Sequence, residues 1–211
     1  ACMAAVHAAA AMHNVLTLWF QYIIAKECKG ECFLVVYADD FIAGFQYPWE
    51  AERFYEQLRS RMAKFGLELE ENKSRIVESG RYLASLKAKR GESTRLGTFD
   101  FLGFTFYCGR TTKGNPWIMP KTSSKKFRQK VKEIKIWLYN NKEQKLGKLM
   151  YMLNVKLVGH YRYYGISFNS RMISNYKQQV RELLYKVLNR RSEKKSYTRE
   201  GFIEMMIYYK L

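Results

Sequence analysis

The stretch FLVVYADDFIAGF, residues 33–45, sets two adjacent carboxylates, Asp39 and Asp40, between two apolar runs. Like charges side by side where a buried strand turns are costly unless a cation offsets them. Turn chemistry alone is one reading, since aspartate is a common turn residue. A bound divalent metal is the other. In-line phosphoryl transfer uses two divalent cations held close together by carboxylates, one activating a hydroxyl and one steadying the leaving pyrophosphate. A hairpin suits that task, because strands fix carboxylates better than a mobile loop does. The small Ala38 leaves room for a substrate end to approach.

The pattern around the pair predicts the elements that position it. Residues 12–29 alternate at helical spacing and stop at Lys29-Gly30. Glu31 to Tyr37 reads as a short buried strand and Phe41 to Phe45 as a second, with Ala38-Asp39-Asp40 as the hairpin connection. Pro48 opens the next helix and Gly66 closes it, with Ala51, Phe54, Leu58, Met62 and Phe65 as its apolar stripe. Leu67-Glu68-Leu69-Glu70 alternates like a half-exposed strand. After a basic segment from Lys87 to Gly97, TFDFLGFTFYCG predicts a hairpin bent at Leu102-Gly103.

From Lys121 the chain changes character. Three helical patterns follow, divided by Gly147 and by residues 165–170. The first gathers Phe127, Val131, Ile134 and Leu138 on one face, with Lys125, Lys126, Arg128, Lys130, Lys132 and Lys135 around the rest. The third carries Ile173, Tyr176, Val180, Leu183, Val187 and Leu188. The expected fold class is α+β: a mixed unit over residues 1–110, then a basic three-helix unit over 111–211.

Composition narrows the partners. The 211 residues are 47% hydrophobic and 16% aromatic, enough for a packed core. Lys and Arg number 37 against 19 Asp and Glu, a net charge of +18, which points to a polyanion, with nucleic acid as the default partner. No membrane is expected: the longest apolar candidate, Val15 to Ala25, is interrupted by Thr17 and Gln21. Cys2, Cys28, Cys32 and Cys108 make no disulfide framework, and reduced thiols in the cytoplasm are expected. Cys28 and Cys32 lack the second pair that structural zinc requires. His7, His13 and His160 have no metal spacing and receive no role.

The motifs also carry a resemblance. VVYADDFIAGF, then FGLELEENKSRI, then FDFLGFTF, resemble the second half of a reverse transcriptase palm, in the order and spacing of the group II intron class. The stretch from Gly159 to Phe202, GHYRYYGISFNSRMISNYKQQVRELLYKVLNRRSEKKSYTREGF, is similar to the maturase-type thumb of that class. The resemblance runs from about Met12 to the end, and four motifs in order are more specific than any one.

It implies an antiparallel palm sheet with helices on one face followed by a three-helix thumb, and an RNA-directed DNA polymerase working with two Mg2+ ions, for which Mn2+ could substitute. Asp39 and Asp40, the YADD pair, would be metal ligands. Tyr37 and Ala38 would line the primer terminus, and Lys73 would reach the incoming triphosphate, where an ammonium stabilises charge or donates a proton. Phe101, Leu102 and Gly103 match the hairpin that grips the primer. Lys125, Lys126, Arg128, Arg162, Arg190, Arg191, Lys194 and Lys195 are the candidate nucleic-acid contacts, with Tyr161, Tyr163 and Tyr164 open to both base stacking and bundle packing. The implied partners are an RNA template, a DNA or RNA primer, dNTPs and structured intron RNA.

Two departures from the family pattern stand out. The palm's further metal-binding aspartate belongs on an earlier strand, yet no aspartate precedes Asp39, and ACMAA occupies the place of the usual Gln-Gly and Ser-Pro signature. A fragment completed by a preceding fingers and palm segment is therefore expected. The alternatives are a maturase that binds RNA without polymerising, and a related reverse transcriptase recruited to phage defence or CRISPR spacer acquisition.

Overall fold

The computed structural model describes residues 13–38, 40–70, 74–91, 96–190 and 197–210. Asp39, Lys73, Arg191, Lys194 and Lys195 lie outside the described residues. The chain divides into two compact units, Ala1–Leu102 with Tyr107–Trp117, and Gly103–Phe106 with Ile118–Leu211. No helix among the described residues is long and apolar enough to cross a membrane.

In the first unit the opening helix, α1, winds with wide i→i+5 turns over His13–Leu18 and Phe20–Ile24 and ends in an α turn at Ala25–Glu27. Its buried side chains are Val15, Leu16, Trp19, Phe20 and Ile24. The helix stops before the predicted Lys29-Gly30, because Cys28 is already extended. The Glu50 carboxylate accepts from the N–H groups of Lys29 (2.6 Å) and Gly30 (3.2 Å), giving both donors partners outside a helix.

Strands β1, Cys32–Tyr37, and β2, Asp40–Phe45, pair antiparallel from Cys32↔Phe45 to Tyr37↔Asp40. Asp40 is thus the first residue of β2, not part of the connection, and only two residues separate the strands. Ala38 has φ 55°, the left-handed conformation that a two-residue hairpin turn demands and that suits the strand twist. Nor is β1 buried on both faces. Leu34 and Val36 lean on the core, whereas Phe33, Val35 and Tyr37 point outward, 58%, 47% and 63% exposed.

Helix α2, Pro48–Lys64, begins at proline as predicted and buries Phe54, Leu58 and Met62. Phe65 leaves the stripe: it lies one residue past the helix and is exposed. Leu67 and Leu69 pack on the core without forming the predicted strand. Helix α3, Arg81–Lys89, was not predicted. Within it Ala84 is buried, and its last turn, Lys87 to Lys89, falls in the segment read from the sequence as basic.

Strands β3, Phe99–Phe101, β4, Phe104–Arg110, and β5, Pro116–Thr122, form a second sheet in the order β3-β4-β5. The predicted hairpin is present, with Leu102 and Gly103 as its turn at φ 49° and 79°. Strand β5 is an addition. Pro116 and Pro120 argue against a strand, but an edge position tolerates them.

The second unit contains four helices among the described residues where three patterns were expected: α4, Ser124–Asn140, α5, Leu146–Tyr164, α6, Ser170–Asn189, and α7, Arg199–Tyr208. Thr198 caps α7 by accepting from the Gly201 N–H at 3.1 Å. The predicted stripes are the core: Ile134 and Leu138 of α4 and Tyr176, Val180, Val187 and Leu188 of α6 are buried, joined by Leu149, Leu153, Phe202 and Met206. His160 has a structural place here. Its ring stacks on Tyr176 with centroids 3.7 Å apart, and its Nδ1 has no hydrogen-bond partner among the described residues.

Burial, with the nearby Lys130 charge adding to it, pushes the His160 pKa down to about 4. The folded value lies below that of the unfolded chain, so this histidine's contribution to stability is fully present above about pH 6.5 and is lost as pH falls toward 4. Urea unfolding should therefore show a lower midpoint at pH 4.5 than at pH 7. His160→Phe, which keeps a ring on Tyr176, should weaken that dependence.

Candidate catalytic hairpin and nucleic-acid interface

The β1–β2 hairpin presents Tyr37, Ala38 and Asp40 together at its tip, all three exposed. Its base is pinned at several points. The Glu31 N–H donates to the Gln46 Oε1 at 2.9 Å, and the Gln46 N–H donates to the Glu31 carbonyl at 2.9 Å. Glu50 holds the preceding loop, and an Arg53–Glu27 ion pair ties α2 to the end of α1. Along the ladder Gly44 faces Phe33, whose ring lies where a Cβ would stand, at 2.2 Å.

Among the described residues no group of three or more His, Cys, Asp or Glu is placed to hold a metal. At the tip, Asp40 supplies hard carboxylate oxygen, the donor type that magnesium takes. The Cys28 thiol is pushed up to about 11, by burial first and then by its neighbour Cys32. With no metal bound, this thiol stays protonated at neutral pH.

The second predicted element is the turn at Leu102-Gly103. The Ser123 N–H donates to the Gly103 carbonyl at 2.9 Å. A Cβ on Gly103 would come within 3.1 Å of the Tyr164 hydroxyl. Next to it, Phe104 stacks on Tyr163 at 5.9 Å and tilts against Tyr164 at 5.3 Å. The three tyrosines therefore divide: Tyr164 is buried and Tyr161 half-buried, whereas Tyr163 is exposed. Ser123 and Tyr164 were not foreseen as the neighbours of Gly103. Ser123 directly before a helical stripe is an N-cap signal, and its hydroxyl does accept from the Lys126 N–H at 3.3 Å. Nothing in the sequence couples it to Gly103.

The basic residues occupy helix ends and exposed faces. Lys125, Lys126 and Arg128 are exposed in the first turns of α4, and Arg162 is exposed near the end of α5. Lys130 pairs with Glu133 at 2.8 Å, and that hydrogen bond lowers the Glu133 pKa. Arg190 terminates α6, where a cation suits the helix dipole, and donates to the Tyr139 hydroxyl at 2.9 Å.

Residues 2–106 match the family described as reverse transcriptase (RNA-dependent DNA polymerase), and residues 124–202 match the group II intron, maturase-specific domain. The chain belongs to the group II intron-type reverse transcriptase/maturases. No curated protein and no solved structure matches it. In this reverse transcriptase/maturase chain the first match contains the β1–β2 hairpin and the Leu102-Gly103 turn, and the second contains α4 to α6.

Gly103→Ala should lower stability by about 1–2 kcal/mol, because a left-handed backbone disfavours alanine and the new Cβ presses on the Tyr164 hydroxyl. Chemical denaturation of the two proteins measures the difference.

Proposed function

We propose that this chain is the later palm and thumb of an RNA-directed DNA polymerase that extends a primer on an RNA template. Residues 1–110 form the palm part and residues 111–211 the thumb. The observation that carries the reading is the register that sets Asp40 opposite the exposed Tyr37 at a two-residue hairpin tip, within the segment that matches reverse transcriptases.

In this reading Asp39 and Asp40 hold two magnesium ions, with manganese as a substitute, together with an aspartate from preceding polypeptide that also carries the fingers. Magnesium bound there would acidify the primer hydroxyl and neutralise the departing pyrophosphate. The chain's own groups do the rest. Tyr37 and Ala38 line the primer end, Lys73 meets the triphosphate of the incoming dNTP, and Phe101, Leu102 and Gly103 hold the primer strand. Lys125, Lys126, Arg128, Arg162, Arg190, Arg191, Lys194 and Lys195 neutralise phosphates on the template–primer duplex or on structured intron RNA. A second reading, a maturase that grips intron RNA without polymerising, draws on the net charge of +18 and the maturase match over α4 to α6.

Primer extension on an RNA template with magnesium and dNTPs, using the natural full-length polypeptide, separates the two. Asp39→Asn should abolish extension, at least about a hundredfold, while RNA affinity stays nearly unchanged. Equal loss of both would overturn the assignment, and RNA binding without extension by the unmodified protein would favour the second reading. Replacing Arg190 and Arg191 together with Ala should weaken RNA binding and reduce the slope of log K against log salt by about 1–2. An unchanged slope would return both arginines to solvated surface.

A further inference from the structure

We propose that Asn169 is a positioning residue for the Leu102-Gly103 turn, acting through Thr122, Ser123 and Tyr164; its functional consequence rests on the reading of that turn as the element that holds the primer. Asn169 directly precedes α6, where an asparagine ordinarily caps its own helix. It makes no side-chain cap there. Its amide is fully buried and crosses to β5 and the end of α5 instead. Oδ1 accepts from the Thr122 N–H at 2.8 Å. Nδ2 donates to the Thr122 Oγ1 at 2.8 Å and to the Tyr164 carbonyl at 2.7 Å. Both donors and the acceptor oxygen are engaged, so the amide has one satisfied orientation.

Two arms run from that amide to Gly103. In one, Asn169 fixes the backbone at Thr122, and the next residue, Ser123, donates its N–H to the Gly103 carbonyl at 2.9 Å. Ser123 is itself held by α4: its carbonyl accepts from the Phe127 N–H at 2.8 Å and its hydroxyl from Lys126. In the other arm Asn169 holds the Tyr164 carbonyl, and the same tyrosine places its hydroxyl behind Gly103 and its ring on Phe104. The Gly103 seat thus has two sides, a strand end and a helix end, with one amide joined to both. Thr122 is buried, so removing the amide strips its N–H and its hydroxyl of the partner they have in the interior. A displacement of about 1 Å in a substrate-positioning group is enough to cost about a hundredfold in rate.

The test uses the natural full-length polypeptide with Asn169→Ala and Thr122→Val. Thr122→Val loses only the hydroxyl that Nδ2 reaches and keeps the N–H bond. Hydrogen exchange over residues 101–106 reads the seat directly. Protection there should fall about tenfold in Asn169→Ala and by less in Thr122→Val, while the buried second half of α6 keeps its protection. In primer extension the KM for primer–template should rise about tenfold in Asn169→Ala, with the KM for dNTP within about twofold of the parent. Unchanged exchange over 101–106 in Asn169→Ala would overturn the inference, as would an equal loss of protection in that segment and in α6. If Asn169→Ala does not fold, Thr122→Val decides by the same criteria. If the unmodified protein extends no primer, the polymerase reading falls, and the exchange measurement still decides the role of Asn169.

Discussion

Everything at the candidate catalytic tip depends on the register of one two-stranded ladder. Side chains alternate along a strand, so a slip of one residue would turn Leu34 and Val36 to solvent and carry Asp40 off the tip. Two kinds of contact hold the pairing. Leu34, Val36, Phe41, Ala43 and Phe45 pack on the core built by α1 and α2. At the far end the Glu31–Gln46 exchange and the buried Glu50 carboxylate fix where β1 starts. Glu50 is only 4% exposed: two backbone N–H groups meet one of its carboxylate oxygens, and the other finds no hydrogen-bond partner among the described residues.

The helical unit solves a different problem. It carries many cations, and like charges in one bundle repel. The core resolves this by admitting almost no charge. Ile134, Leu138, Leu149, Leu153, Val180, Leu184 and Met206 fill it, and the His160 ring stacked on the buried Tyr176 is held neutral at pH 7. Lysines and arginines stay at the periphery, on the outer face of α4 and at the end of α6, where they remain able to meet phosphate.

How much of this was legible follows from the range of each interaction. Helix α2 could be read because Pro48, Gly66 and the Phe54, Leu58, Met62 spacing are local signals. The same holds for the stripes of α4 and α6. Whether Asp40 closes the turn or opens β2 was not legible, since it depends on the backbone at Ala38, which composition does not encode. Strand β5 was hidden by its two prolines, because edge and interior strands look alike until the pairing is known. Helix α7 was hidden because Ile203 and Ile207 lie exposed beside the buried Phe202 and Met206, blurring the periodicity. At the candidate site the individual residues were named, but their neighbours were not. Asn169 reads as an ordinary cap, and its true partner lies 47 positions away.

Both hairpin tips place a side chain in a left-handed conformation where glycine would be at ease: Ala38 at the first and Leu102 at the second. Each stores about 1–2 kcal/mol of backbone strain. The gain is stiffness. Glycine in the same places would relax the turn and also open further conformers, letting the tip wander. An alanine or a leucine has few alternatives, so the ladder behind each tip acts as a clamp on a loaded spring. Mechanical definition at the tips is thus drawn from restricted backbone freedom as well as from the contacts behind each turn.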